Sequence, residues 1–143
     1  MTEVPPRMNV RKMIGIVALI FFAGLIGLIC WRVDDWGRDW TTNSAQDNFA
    51  VPNRTIDSAV KQVQHWADGK SNWHVLSEQR TDTEAKMHLT RSTSVWKFTD
   101  DVHLTIRLSD AGVTIEATSK SRIGKGDLGQ NPRNLAELAT AFE

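Results

Sequence analysis

The densest group of residues able to do chemistry lies between residues 121 and 131. Arg122, Lys125 and Asp127 stand there among three glycines, and Arg133 follows in the predicted first turn of a helix. A cation in that turn is unfavourable unless an anion or a carboxylate meets it. Cations together with backbone N–H groups at a helix start can bind a phosphate or a carboxylate. The stretch therefore predicts a polar pocket that accepts an anion.

Ion pairing within the loop is the alternative interpretation of the same residues. Arg122 or Arg133 would then pair with Asp101 or Asp127 and hold an irregular loop in place. The sequence leaves both interpretations open. The candidate cluster, either ligand-binding or structural, has eight members: Asp100, Asp101, Ser121, Arg122, Lys125, Asp127, Asn131 and Arg133.

The glycines at 124, 126 and 129 formally match G-x-G-x-x-G, but a dinucleotide site is not expected. That motif needs a following parallel strand and an acidic residue about 20 positions further on, and the sequence ends at Glu143. A phosphate loop is not expected either, since no G-K-[ST] occurs at the required spacing. No cofactor is predicted.

Two histidines, His88 and His103, fall on the polar face of the predicted sheet. If their strands are adjacent, the rings could meet and bind a metal with Glu116 as the third ligand. Exposed histidines on a solvated face are commoner, so we predict no metal site.

Catalytic signatures are weak. No G-x-S-x-G elbow occurs, and Asp100 and Asp101 point apart if they lie on a strand. The catalytic alternative is an enzyme that uses Asp101, Arg122 and Asp127, which would have to converge in one concave pocket.

Two apolar stripes with helical spacing predict the helices that frame these residues. In the first, Thr55 is the predicted N-cap and Gly69 the left-handed residue after the last turn. The second is predicted to begin with Asn131 as cap and Pro132 in the first helical position. The stripes are Ile56, Ala59, Val60, Val63, Trp66 and Ala67, then Leu135, Leu138, Ala139 and Phe142.

Alternation of apolar and polar residues predicts four strands between these helices, at 73–79, 85–91, 102–108 and 113–118. Residues 109–112 supply the turn of a hairpin between the last two strands. The antiparallel sheet has one apolar face, which the two helices can cover. The predicted fold class is α+β, a two-layer α-β-β-β-β-α sandwich preceded by one transmembrane helix.

That transmembrane helix is predicted for the uncharged segment 13–31. At ~1.5 Å per residue it is roughly 28 Å long, close to the ~30 Å hydrocarbon core of a bilayer. The apolar run exceeds the about 7–15 residues of a cleavable signal peptide, and no A-x-A-like site follows it. A core helix would need a larger domain around it. The segment is therefore predicted to be a retained membrane anchor.

Basic residues flank the segment unequally. Arg7, Arg11 and Lys12 precede it, whereas the arginines that follow are diluted by aspartates. This bias favours a cytoplasmic amino terminus, and tryptophans 31, 36 and 40 favour the membrane interface beyond the span. The predicted organisation is a cytoplasmic tail (1–12), the span (13–31), an aperiodic juxtamembrane linker (32–54) and an extracytoplasmic α+β domain (55–143). The expected location is a bacterial inner membrane.

Composition excludes several other functions. The net charge is zero, which gives no basis for bulk electrostatic binding of nucleic acid. The single cysteine, Cys30, lies inside the apolar segment, so the outer domain has no internal disulfide and no thiolate nucleophile.

The order of short motifs in residues 98–143 resembles the family called domain of unknown function 1499. The resemblance implies one compact domain, often membrane-associated, in bacteria and plastids, with no established activity to transfer. The resemblance also implies a cysteine-containing segment directly before the first helix in many relatives, where this sequence has Pro52-Asn53-Arg54-Thr55 and no cysteine. The motifs are Phe98-Thr99-Asp100-Asp101, Ser121-Arg122-Ile123-Gly124, Asp127-Leu128-Gly129, Asn131 and Arg133.

Two functional hypotheses follow. In the first, the domain is a non-catalytic module tethered to the membrane that binds an envelope protein, a lipid head group or a small anion. In the second, it is an enzyme of unknown reaction with an Asp/Arg pocket around the glycine-rich loop. Neither predicts a nucleic-acid partner, and the oligomeric state is left open.

Overall fold

The computed structural model describes residues 9–33, 35–93 and 97–143, and the chain divides at residue 34 into two compact units. The first unit contains α1 (Val10–Arg32). The elements of the second unit are, in order, α2 (Trp36–Thr41), β1 (Ser44–Pro52), α3 (Ile56–Asp68), β2 (Trp73–Arg80), β3 (Glu84–Ser92), β4 (Thr99–Ser109), β5 (Gly112–Ser121), α4 (Gln130–Ala139) and a 3-10 turn (Thr140–Phe142).

α1 is a single apolar helix that covers the whole predicted span. Its mean hydropathy over 18 residues is 2.8, and its side chains are exposed rather than packed into a globular core. Its 23 residues would measure roughly 34 Å at ~1.5 Å per residue. By length and composition, α1 is able to cross a membrane.

The sheet of the second unit is antiparallel throughout, with strand order β1-β5-β4-β3-β2. The predicted α+β class is confirmed, including the two helices that cover one face. The fifth strand, β1, lies in the range that we predicted to be an aperiodic linker, and this is a correction. Its alternation is interrupted by Asp47 and Asn48, which are poor strand formers, so its conformation depends on pairing with β5 along its full length.

One face of the sheet and the inner faces of α3 and α4 form a single hydrophobic core. Val60 and Val63 of α3, Ile106 and Ile115 of the central strands and Leu138 of α4 are almost completely buried. The opposite face carries the alternate side chains of each strand, which are mostly polar. We call this second surface the open face.

The ends of α3 follow one prediction and depart from another. Thr55 is the N-cap: its Oγ1 accepts from Ser58 N at 3.2 Å, and Ser58 Oγ accepts from Thr55 N at 3.0 Å. The left-handed conformation predicted for Gly69 is wrong, since its φ is −74°. The last turn tightens instead, with Lys70 N donating to Ala67 O at 3.0 Å, and the chain turns into β2 without a left-handed residue.

α2 is a second correction to the predicted linker. It has only six residues, which is too short to be stable in isolation. Asp35 caps it, with Oδ1 accepting from Arg38 N at 3.0 Å. The sheet register places the start of β1, the end of β5 and the start of β4 at one end of the sheet. We call this the α2 end.

Candidate functional site

The glycine-rich loop between β5 and α4 runs alongside α2. Asn43 Nδ2 donates to Gly124 O at 2.8 Å, Asp127 N donates to Thr42 O at 3.3 Å, and Leu128 N donates to Asp39 O at 3.0 Å. The loop therefore fixes the segment that we had predicted to be a linker.

Two of the loop glycines are required by this close approach. A Cβ at position 126 would lie 2.5 Å from the backbone oxygens of Asp39 and Trp40, closer than real Cβ atoms come. Gly129 has φ +70°, and a Cβ there would lie 2.7 Å from Asp39 Oδ2 and 3.1 Å from Arg133 Nη1. The glycine spacing thus reflects backbone packing against α2.

Asp127 caps α4, whereas Asn131 was predicted to do so. Asp127 Oδ1 accepts from Gly129 N at 2.9 Å and Oδ2 accepts from Asn131 N at 2.8 Å. α4 begins at Gln130 with Gly129 as its N-cap residue, so Asn131 already lies in the first turn. The carboxylate suits this position because it meets unpaired N–H groups at the positive end of the helix dipole.

Asn131 is instead the centre of a buried polar network on the core side of the sheet. Its Oδ1 accepts from Ser119 Oγ at 2.6 Å, and its Nδ2 donates to Asn43 O at 2.7 Å and Ser121 Oγ at 3.1 Å. One turn later, Asn134 Nδ2 donates to Asp100 Oδ2 at 2.8 Å. The network connects β4, β5, α4 and the residue before β1.

Asp100 and Asp101 point to opposite faces of β4, as predicted for neighbours on a strand. Asp100 is buried on the core side, whereas Asp101 lies on the open face and forms a two-point ion pair with Arg122. Arg122 is thus paired with one of the two aspartates that the ion-pairing interpretation named for it. Arg133 Nη2 donates to Leu128 O at the start of α4.

A groove of about 560 Å³ lies on the open face at the α2 end. Arg122 lines it, but Lys125 and Arg133 do not, so the three cations of the predicted anion pocket do not share this cavity. The groove is lined by Ser44, Ala45, Gln46, Asp101, His103, Thr118, Ser119, Lys120, Ser121 and Arg122.

The groove contains more positively charged than negatively charged side chains. Lys120 lies directly opposite Asp101 in the β4–β5 register, and Arg122 contacts the same carboxylate. The hydrogen bonds from Arg122 lower the pKa of Asp101 well below its ordinary value, and the bond from His88 acts in the same direction. Asp101 is thus ionised at neutral pH, and one carboxylate faces two cations.

His88 and His103 lie directly opposite each other on β3 and β4, and their rings stack with centroids 4.2 Å apart and planes 18° apart. His88 Nε2 lies 2.8 Å from Asp101 Oδ1, and the ionised carboxylate accepts this bond. Partial desolvation lowers the pKa of His103, whose side chain stays exposed to solvent on one side, and the neighbouring His88 adds to that effect. His103 is therefore the neutral imidazole in the wall of the groove.

The hypothetical third metal ligand, Glu116, is engaged elsewhere. It accepts from Gln46 Nε2 and Arg107 Nη1, both at 3.1 Å. Within the described residues, no group of three His, Cys, Asp or Glu side chains is placed to hold a metal ion.

The residues of the catalytic alternative are separated. Asp101 and Arg122 share the groove, whereas Asp127 does not line it and serves α4. Three further residues of the site, Asp39, Thr118 and Lys120, were not recognisable as such from the sequence. Asp39, almost completely buried beside Gly129, was counted only as a charge flanking the apolar segment. Thr118 was placed on the polar face of the last predicted strand, and Lys120 lay beyond the end of that strand and received no role. The i, i+4 spacing of Trp36 and Trp40 was the one signal of structure near Asp39.

Comparison with known proteins identifies a family for this chain, but no activity comes with that family. A family described as "Protein of unknown function (DUF1499)" matches residues 38–142, which include the last four residues of α2, the sheet, the glycine-rich loop and α4. No curated protein matches the chain.

Proposed function

Since this chain belongs to the DUF1499 family, whose function is unknown, we propose its function from its own geometry. We propose a membrane-anchored, non-catalytic module that holds a small anionic group in the groove of the open face. The excess of cations in that groove is the observation that carries the proposal.

Two cations and one carboxylate leave the groove with a surplus positive charge. Lys120 has no salt bridge among the described residues, and Arg122 uses only its Nε and Nη2 to bind Asp101. The remaining N–H groups of that guanidinium are donors for a second acceptor. The hydroxyls of Ser44 and Thr118 also line the cavity and can complete the hydrogen bonds of a bound oxyanion.

The chemistry of the ligand is that of a phosphate or carboxylate oxyanion. A free phosphate and the phosphate of a lipid head group share this chemistry, and an acidic side chain of an envelope protein presents a carboxylate. The groove volume of about 560 Å³ exceeds a bare phosphate and leaves room for the group attached to it.

Anchoring is supported by α1. It is 23 residues long, apolar and exposed, and Arg11 and Lys12 stand at its amino end. These cations favour a cytoplasmic amino terminus, which would place the folded unit on the other side of a bacterial inner membrane.

Binding is tested by calorimetry on the full chain in nonionic detergent, with inorganic phosphate and glycerol 3-phosphate as probes. Lys120→Ala should weaken binding by about 10- to 100-fold, since a hydrogen bond to a charged group contributes about 1.5–3 kcal/mol. Lys86→Ala is the matched control, because Lys86 is exposed on the same face outside the groove. Equal affinities in both variants, or no heat with either probe, would refute the proposal.

Anchoring is tested separately. The protein should stay in the membrane after alkaline carbonate extraction, and its intact mass should be that of the whole 16.1 kDa chain. A cleaved signal sequence would give a lower mass. A carboxyl-terminal reporter active only in the cytosol should give no signal.

A further inference from the structure

The α2 end of the sheet carries a concentration of exposed large apolar side chains. Trp36 and Trp40 belong to α2, Phe98 precedes β4 and Ile123 follows β5, and these side chains are 48–70% exposed. At the opposite end of β4, Leu108 is the exposed large apolar residue. The described part of the second unit is thus markedly asymmetric in its exposed apolar surface.

Trp36 and Trp40 form one aromatic surface. They are one helical turn apart, and their rings stack with centroids 6.2 Å apart and planes 23° apart. Indole rings combine a large apolar area with an N–H donor, and tryptophan is enriched where a bilayer meets water.

This aromatic surface is held rigidly. Asp39, between the two tryptophans, is 1% exposed and bonds Arg38 Nε at 2.8 Å and Asp35 N at 3.2 Å. Its backbone oxygen accepts from Leu128 N, and Gly126 packs against the α2 backbone. Because α2 is fixed to the loop before α4, its tryptophans are fixed to the domain.

Cations accompany the apolar residues. Lys97 and Lys125 are exposed at the α2 end, and the side chain of Arg38 is 44% exposed. The exposed residues Asp82 and Asp110 lie in the turns at the other end. Aromatic residues with neighbouring lysines and arginines are the combination that favours the surface of an anionic bilayer.

We propose that the α2 end is a bilayer-docking surface, with Trp36, Trp40, Phe98 and Ile123 in the interfacial layer and Lys97 and Lys125 on anionic head groups. The inference rests on the anchoring in the proposed function. Three residues separate Arg32 from Trp36 in the sequence, and at ~3.5 Å per residue such a connection can extend over at most about 14 Å. If α1 spans the bilayer, this connection keeps α2 close to the head groups, which is why lipid is the expected occupant.

The test uses the full chain carrying Trp31→Phe, because Trp31 lies in α1. The protein is reconstituted in vesicles of phosphatidylcholine and phosphatidylglycerol whose acyl chains are brominated close to the head group, which quenches nearby indoles. The measured quantity is the part of the tryptophan fluorescence that the bromines remove. Replacing Trp36 and Trp40 by Phe should lower this part about two-fold, since two interfacial indoles are removed while an apolar ring is kept at each site. Leu108→Trp is the control and should add emission that the bromines do not quench.

Three results would overturn the inference. If the vesicles float in a density gradient and the protein does not float with them, the proposed anchoring is wrong, and the docking surface that rests on it is wrong as well. If the protein floats but the Trp36→Phe/Trp40→Phe variant is quenched as before, or the indole added at position 108 is quenched equally, the docking surface alone is wrong. Charge reversal gives a second measurement: Lys97→Glu with Lys125→Glu should reduce quenching in phosphatidylglycerol vesicles and leave it unchanged in pure phosphatidylcholine.

Discussion

Asp101 and Arg122 form a two-point ion pair where β4 and β5 meet the glycine-rich loop. Arg122 Nε donates to Asp101 Oδ2 at 2.8 Å, and Nη2 donates to Oδ1 at 2.7 Å. The same carboxylate accepts from His88, so on the open face it connects β3, β4 and the residue that follows β5. This pair holds the first residue after β5 and at the same time shapes the wall of the groove.

Arg122→Gln should raise the pKa of Asp101 toward its ordinary value, because the variant loses the hydrogen bonds that lower it most. A pH titration of the Asp101 carboxyl by NMR measures this change. Arg107→Gln is the matched control, since Arg107 lies on the same face but pairs with Glu84 and Glu116. An unchanged Asp101 pKa in the Arg122 variant would show that the pair does not govern this carboxyl.

Stability should fall as the pH is lowered from 7 toward 5 because of His103. Partial desolvation and the neighbouring His88 place its folded-state pKa below the unfolded value of about 6.5, so the unfolded chain binds more protons. The free energy of unfolding is therefore highest above about pH 6.5 and decreases as the pH falls through that value to the folded pKa. His103→Gln should flatten the decrease in urea unfolding curves. His65→Gln, an exposed site on α3, should retain it, and equal slopes in both variants would contradict the assignment.

Gly126→Ala should destabilise the second unit by about 1–3 kcal/mol, the usual cost of overpacking. The added Cβ would meet the backbone of Asp39 and Trp40, which cannot yield as a flexible side chain can. Thermal unfolding followed by circular dichroism measures the change.

Gly37→Ala provides the control for that variant. A Cβ at position 37 meets only Asp35 Oδ1, at an ordinary 3.5 Å, and alanine is the better helix former by about 1 kcal/mol. Its stability should be equal or higher. If both variants are equally stable, the loop does not press on α2.

Asn131→Ala should be among the most destabilising polar substitutions in the domain. It leaves the buried Ser119 hydroxyl and the Asn43 carbonyl without the bonds they make to this side chain, at about 1–3 kcal/mol for each buried group. Chemical denaturation gives the difference. Asn48→Ala on exposed β1 should change stability by no more than about 0.5 kcal/mol, and similar losses in both variants would refute the central role of Asn131.

The fold was predictable where local pattern and final environment agree. The four strands from β2 to β5 alternate strictly enough to be recognised, and the Thr55 cap is a local signal. β1 and α2 have no comparable pattern, because Asp47 and Gly37 oppose their conformations. Both elements depend on contacts made by residues far away in the sequence, which local propensity cannot reveal.

The candidate site was likewise predictable only where its features are local in the sequence. The glycine-rich loop and its charged residues were recognisable, and the opposite directions of Asp100 and Asp101 follow from strand geometry. The choice of Asp101 rather than Asp127 as partner of Arg122 depends on the register between β4 and β5, which sets the residue opposite each side chain. The carboxylate of Asp39 is buried beside Gly129, which lies far away in the sequence, and the residues around Asp39 in the sequence do not indicate this contact.

The pairing of β1 with β5 has a consequence for the order of assembly. β1 leaves the ribosome after α1 and the short α2, yet its partner strand is synthesised only after α3 and three further strands. The hairpins from β2 to β5 close short loops and can form early, whereas β1 must close a long one. We therefore expect β1 to join the sheet last and to stay unpaired until β5 has been synthesised.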